Sequence, residues 1–207
     1  MEKLANKLSV LIAKQQNSSE EQRRVIEYGL TAMLQMITIF IIILVSGLLL
    51  GAFFEAIVIF CAVGFLRKST GGAHSSTMIG CTVFSCINII CLSLFAHYGA
   101  QYIPTMYILL LGGFAYIVCF IIAYKKVPVD CENKRIRKPE KIKRLRTQSF
   151  IKIILYALMS FAWVLISKNS LLSLSVFLAF NLSTAWQVFT LTDLGSKFIC
   201  FFDRPRN

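Results

Sequence analysis

Arg67, Lys68, Gly71, Gly72, His74 and Cys81 fall within one short stretch between two strongly apolar segments. An imidazole can carry a proton, and a thiol can attack a carbonyl carbon. Between Lys68 and Lys125 lie 56 residues without one Asp, Glu, Lys or Arg, so His74 and His97 are the strongly polar titratable groups of that run. Ionisable groups in a membrane-embedded region are functional candidates, because burying them is costly. His74 and Cys81 are therefore read as a catalytic pair.

Their spacing sets a geometric condition. On one regular helix, residues seven apart share a face but sit about 10 Å apart along the axis. A working hydrogen bond needs about 3 Å. His74 must then lie outside the helix that carries Cys81, folded back over its first turns. Gly71 and Gly72 supply the dihedrals for such a fold, since glycine reaches positive φ without strain. Arg67 or the two glycine amides could steady an oxyanion. The acid available inside the apolar spans is Glu55, on the opposite side by the topology below. A Cys-His dyad is the economical arrangement, its imidazole held by a backbone carbonyl or by Ser75, Ser76, Asn88 or Asn181. GxSxG, the serine-nucleophile motif, is absent.

Each residue also has a bland reading. His74 could sit at the headgroup interface, and Cys81 could be a small buried hydrophobe. The glycine pair could be only a turn, and Arg67 only an anchor. Their combination at one membrane face favours chemistry. The other cysteines do not suggest a metal: Cys81, Cys86 and Cys91 recur every five residues, roughly 140° apart on a helix, and no CxxC occurs. No metal and no cofactor is expected.

The elements that must position these residues are membrane helices. Of 207 residues, 57% are hydrophobic and 15% charged, with a mean hydropathy of +0.68. Soluble domains carry about 25% charged residues. The expected fold is an all-α polytopic integral membrane protein, a single membrane-embedded domain over residues 1–207. The net charge of +12 does not indicate nucleic acid, because the cations cluster between apolar spans.

Residues 1–16 pattern as an amphipathic helix, with Leu4, Leu8, Leu11 and Ile12 on one face. That suits a helix in the headgroup layer or one packed on the protein itself. Four spans are expected over residues 28–124, with the catalytic stretch 67–81 between the second and third. The first two share residues 28–66 tightly, with a turn near Ser46-Gly47 or Gly51, or with a short second helix whose Lys68 snorkels. A basic loop covers 125–146, two more spans cover 150–192, and a tail covers 193–207. Four alternate segments hold 20 of the 22 Lys and Arg. Cytoplasmic loops carry that excess, so six spans follow, with both termini and the catalytic stretch cytoplasmic.

The motif Arg67-x-x-x-Gly71-Gly72-x-His74, with Cys81 seven residues on, resembles the signature of the accessory gene regulator B family. Those are membrane cysteine endopeptidases of Gram-positive quorum sensing. The stretch Val127-Pro128-Val129-Asp130-Cys131-Glu132-Asn133-Lys134 resembles the family's Ala-Pro-x-Asp-x-x-Asn-Lys-Pro, departing at Val127 and at Arg135. The resemblance implies a multi-pass protein of the bacterial cell membrane, in contact with the lipid bilayer, that acts on a small AgrD-like precursor peptide. It implies that Cys81 attacks a peptide bond while His74 handles the proton. The C-terminal tail leaves, and the rest stays on Cys81 as a thioester until a Cys or Ser of the precursor closes a thiolactone or lactone. Arg67, Gly71, Gly72 and Ser75 would support the reaction. Lys68, Lys141, Lys143 and Arg144 would hold the acidic tail of the precursor. The resemblance also allows a homodimer. Two alternatives stand beside it: a non-enzymatic membrane scaffold or binding protein, and a small peptide transporter, which should show repeats or broken helices.

Overall fold

The computed structural model describes residues 2–16, 19–72, 78–129, 139–168 and 170–203. The described residues form eight helices and no strand: α1 (Glu2–Gln15), α2 (Glu20–Leu49), α3 (Phe53–Thr70), α4 (Met78–Tyr102), α5 (Thr105–Lys126), α6 (Pro139–Ile166), α7 (Leu171–Phe189) and α8 (Asp193–Asp203). The all-α membrane architecture holds. Five helices, α2 and α4 to α7, are long and apolar enough to cross a bilayer, against the six expected. The difference is α3, which has 18 residues with Glu55 in its first turn and Arg67 and Lys68 in its last. Charges at both ends leave 11 uncharged residues between them, fewer than the about 20 of an ordinary span. The turn before α3 falls at Gly51, whose φ is +73°.

The chain divides into two compact units, residues 1–42 and 43–207. In the first, α1 is tied to α2 by polar contacts. Asn6 donates to Glu27 at 2.9 Å, and Arg23 donates to Ser9 at 3.3 Å. Arg23 also bridges Glu20 and Glu27. The buried face of α1 consists of Ala5, Ser9 and Ala13, spaced four apart, while Leu4 and Leu11 stay exposed. The small residues form the packed stripe, and the larger apolar face points outward.

In the second unit, α7 packs against α3, α4, α5 and α6. Its sequence suits that place. Leu174 and Phe177 fill the core on one side, and small or hydrogen-bonding residues (Ser175, Ala179, Ser183, Thr184) let neighbours approach closely. Their hydroxyls do not remain as buried unsatisfied donors. Ser183 and Thr184 both donate to the Phe180 carbonyl in the preceding turn. Tyr116 of α5 lies 3.2 Å from Ser160 of α6, and Tyr156 of α6 donates to the Ala62 carbonyl of α3. Both tyrosine hydroxyls thus meet a partner on another helix, as a medium without water demands.

Two expected segments look different. The run 125–146 is not all loop: α5 continues to Lys126 and α6 starts at Pro139, so Lys141, Lys143, Arg144 and Arg146 stand on a helix. The expected tail carries α8, whose Phe198 packs on Trp186 and Phe189 of α7.

Candidate active site

Cys81 lies in the first turn of α4, partly exposed. Phe84, Ser85 and Asn88 follow it at i+3, i+4 and i+7, so they share its helix face. That face lines a cavity of about 40 Å³. Opposite stand Val63 and Arg67 of α3, Trp186 of α7 with its C-cap residue Thr190, and Ile199 of α8. In volume the space suits a small group such as a peptide carbonyl. Among the described residues, Arg67 is the one charged residue of its lining. The Asn88 Oδ1 is buried there without a hydrogen-bond partner among the described residues. The structure therefore brings Cys81 and Arg67 together. His74 and Ser75 lie outside the described residues, as do Asp130 to Arg135 of the second motif.

The glycine pair sits beside this cavity, held from two sides. Gly71 ends α3 at φ +72°, and its amide donates to the Arg67 carbonyl at 3.0 Å. That amide is used as a helix cap, so it is not an oxyanion donor. The Val129 amide donates to the Thr70 carbonyl at 2.9 Å, making an isolated parallel bridge between Gly71 and Val129. A Cβ on Gly71 would run into the Val129 carbonyl. Gly72, at φ +126°, lies so close to α7 that a Cβ there would be 2.8 Å from Thr190 Oγ1. The two sequence motifs thus meet in space, Gly71 of the first against Val129 of the second.

Three further residues hold the turn, and none follows from motif reading. Gln187 of α7, fully buried, donates to Thr70 Oγ1 at 2.9 Å and to the Gly71 carbonyl at 2.8 Å. Thr190 bounds both Gly72 and the cavity. Lys152 of α6 donates to the Phe65 carbonyl at 2.6 Å and to Ser69 Oγ at 3.1 Å, closing off the end of α3. The available signal was polarity: an amide or ammonium in an apolar helix must find a partner.

The expected tail-binding cations divide by position. Lys68 is exposed, its ammonium 5.5 Å from the Phe65 ring. Lys141, Lys143 and Arg144 are exposed on the first turns of α6. At 100° per residue, Lys141, Arg144 and Lys152 fall on one face and Lys143 on the other. Because Lys152 reaches α3, that face runs toward Lys68. Arg146 is committed elsewhere: it donates to the Tyr124 carbonyl at 2.8 Å and stacks over the Tyr124 and Phe150 rings.

The family described as Accessory gene regulator B matches residues 2–191. An AgrB-like protein of Clostridium perfringens strain SM101 is 29% identical over 212 residues, covering 100% of this chain and 98% of its own length. A second AgrB-like protein, from Clostridium perfringens strain 13, is 28% identical over 215 residues with the same coverage. No solved structure matches the chain.

Proposed function

Because the chain belongs to the accessory gene regulator B family, we propose that it is a membrane cysteine endopeptidase that processes a small precursor peptide into a cyclic signal. The observation that carries the reading is the cavity shared by Cys81 and Arg67, directly beside the Gly71-Gly72 turn that leads to His74.

In this reading the Cys81 sulfur attacks the scissile carbonyl as His74 takes its proton. Arg67 offsets the charge that develops on the carbonyl oxygen. The C–N bond then breaks, and His74 returns the proton to the leaving amine. The acidic tail departs, and the rest of the precursor stays on Cys81 as a thioester. An internal thiol or hydroxyl of the precursor attacks that carbonyl and closes the ring, regenerating the Cys81 thiol. A thioester conserves acyl activation for ring closure, and a small, mostly apolar cavity leaves little room for competing water. The reaction face is cytoplasmic, by the distribution of Lys and Arg. The Lys141, Arg144 and Lys152 face with Lys68 draws in the acidic tail, an attraction that weakens as salt screens it.

The test uses the purified full-length protein and a precursor whose ring-forming residue is replaced by Ala. The intact mass should rise by the N-terminal fragment, and hydroxylamine should remove the adduct. Cleavage without an adduct on any cysteine, under rapid quench, would replace this mechanism with direct hydrolysis.

A further inference from the structure

Gln187 combines complete burial, a long reach in sequence and an unfilled acceptor. Its side chain is 0% exposed, its two donated bonds span 117 and 116 residues, and its Oε1 has no hydrogen-bond partner among the described residues. A Leu or Met would fill a similar volume without burying an acceptor, so packing alone does not explain an amide here. What the amide contributes is its NH2 group, both of whose hydrogens go to the turn.

One of those bonds acts on the Gly71–Gly72 peptide unit directly; the other holds the Thr70 hydroxyl, which itself donates to the Gly71 carbonyl at 3.2 Å. The peptide group is planar, so fixing the Gly71 carbonyl fixes the whole unit through to the Gly72 Cα. Val129 holds the preceding carbonyl, that of Thr70, from the other side. Gly72 is then pinned against Thr190. Both glycines have positive φ and offer little resistance of their own, so the external bonds define their conformation. At the end of α7, Trp186 and the C-cap residue Thr190 face the cavity of Cys81 while Gln187 faces the turn. One helical segment therefore sets both the cavity wall and the turn.

We propose that Gln187 is a positioning residue: it fixes the Thr70–Gly72 turn, and with it the direction in which the chain leaves Gly72, relative to Cys81. This inference rests on the peptidase reading for its effect on turnover, but not for its effect on the turn.

The experiment compares wild type, Gln187→Leu and Gln187→Glu as full-length protein in liposomes, with the precursor peptide as substrate. Gln187→Leu should lower kcat about tenfold or more, with KM changed no more than about threefold. Gln187→Glu is nearly isosteric and guards against a folding failure in the first variant. Its carboxylate cannot donate to the Gly71 carbonyl, whereas the protonated acid can. Its activity relative to wild type should therefore rise as pH falls from 8 to 6. A ratio that stays flat with pH would reduce Gln187 to packing and overturn the inference. Near-normal kcat in both variants would also overturn it, leaving the peptidase reading intact. Amide hydrogen exchange separates the two ideas. If wild type does not cleave the precursor, faster exchange at residues 70–72 in Gln187→Leu still supports the positioning role, and unchanged exchange sinks it.

Discussion

Glu55 Oε1 lies 3.1 Å from His97 Nδ1, joining the first turn of α3 to the last turns of α4. The pair sits about 24 Å along α4 from Cys81. Glu55 is only 2% exposed. On the other side of the ring, the Gln101 amide nitrogen is 3.0 Å from His97 Nε2. The contact is a structural clamp between two helices, at the end of the bundle away from the cavity.

That clamp should act on stability and not on turnover. Glu55→Ala and His97→Ala should each destabilise the protein, and the double variant should lose less than the two singles combined. The coupling should be about 1–3 kcal/mol, the cost of leaving a buried polar group unmatched. Unfolding titrations in mixed micelles would measure it. Additive losses would show that the two residues do not support each other.

Cys81→Ala, Cys81→Ser and His74→Ala should each abolish precursor cleavage while membrane insertion is unchanged. The cavity brings Cys81 together with Arg67, the one charged group among its described lining residues, and no other described cysteine lines that space. Gel analysis of precursor and product in proteoliposomes is sufficient. Full cleavage by either Cys81 variant would move the nucleophile elsewhere.

The two glycines should fail for different reasons. Gly71→Ala should be inactive in any background, because its Cβ meets the backbone carbonyl of Val129. Gly72→Ala meets a side-chain hydroxyl instead, so Thr190→Ala should restore part of its activity. Recovery will be incomplete because φ of +126° remains strained for alanine. Equal activity in Gly72→Ala and Gly72→Ala/Thr190→Ala would show that this contact does not limit the turn.

Charge reversal on α6 should depend on face. Lys141→Glu with Arg144→Glu should raise the apparent KM for an acidic-tailed precursor about tenfold at low salt, and much less for a neutral-tailed one. Lys143→Glu, on the opposite face, should change little. A loss shared by both precursors, with insertion intact, would leave these cations as lipid anchors, where each gains about 1 kcal/mol near an anionic surface.

Much of the architecture was legible because uncharged runs of this length have few alternatives to membrane helices. The cavity was half legible. Cys81 and Arg67 were singled out by residue type, and both line it. Gln187 was not, because its partner Gly71 is 116 residues away and sequence gives no distance. Polarity alone announced that an amide in the last turns of an apolar helix must bond to something. The run 125–146 differed for another reason. It was read as one basic loop, yet Pro139 opens α6, and the first helical position is where proline is best tolerated. The sixth helix of the expected set, α3, differs from the other five because Glu55, Arg67 and Lys68 bound a short apolar run.

The brevity of α3 bears on the lipid around it. Eleven uncharged residues cover about 16 Å, against about 30 Å of hydrocarbon in an ordinary bilayer. Lipids touching α3 must compress, or headgroups and water must dip inward beside it. Arg67 and the mouth of the Cys81 cavity would then sit at the floor of that dip. A charged peptide tail could approach them without entering oil. The depth of the dip depends on lipid tail length, so the thickness of the host membrane becomes a control on how readily the cavity is reached.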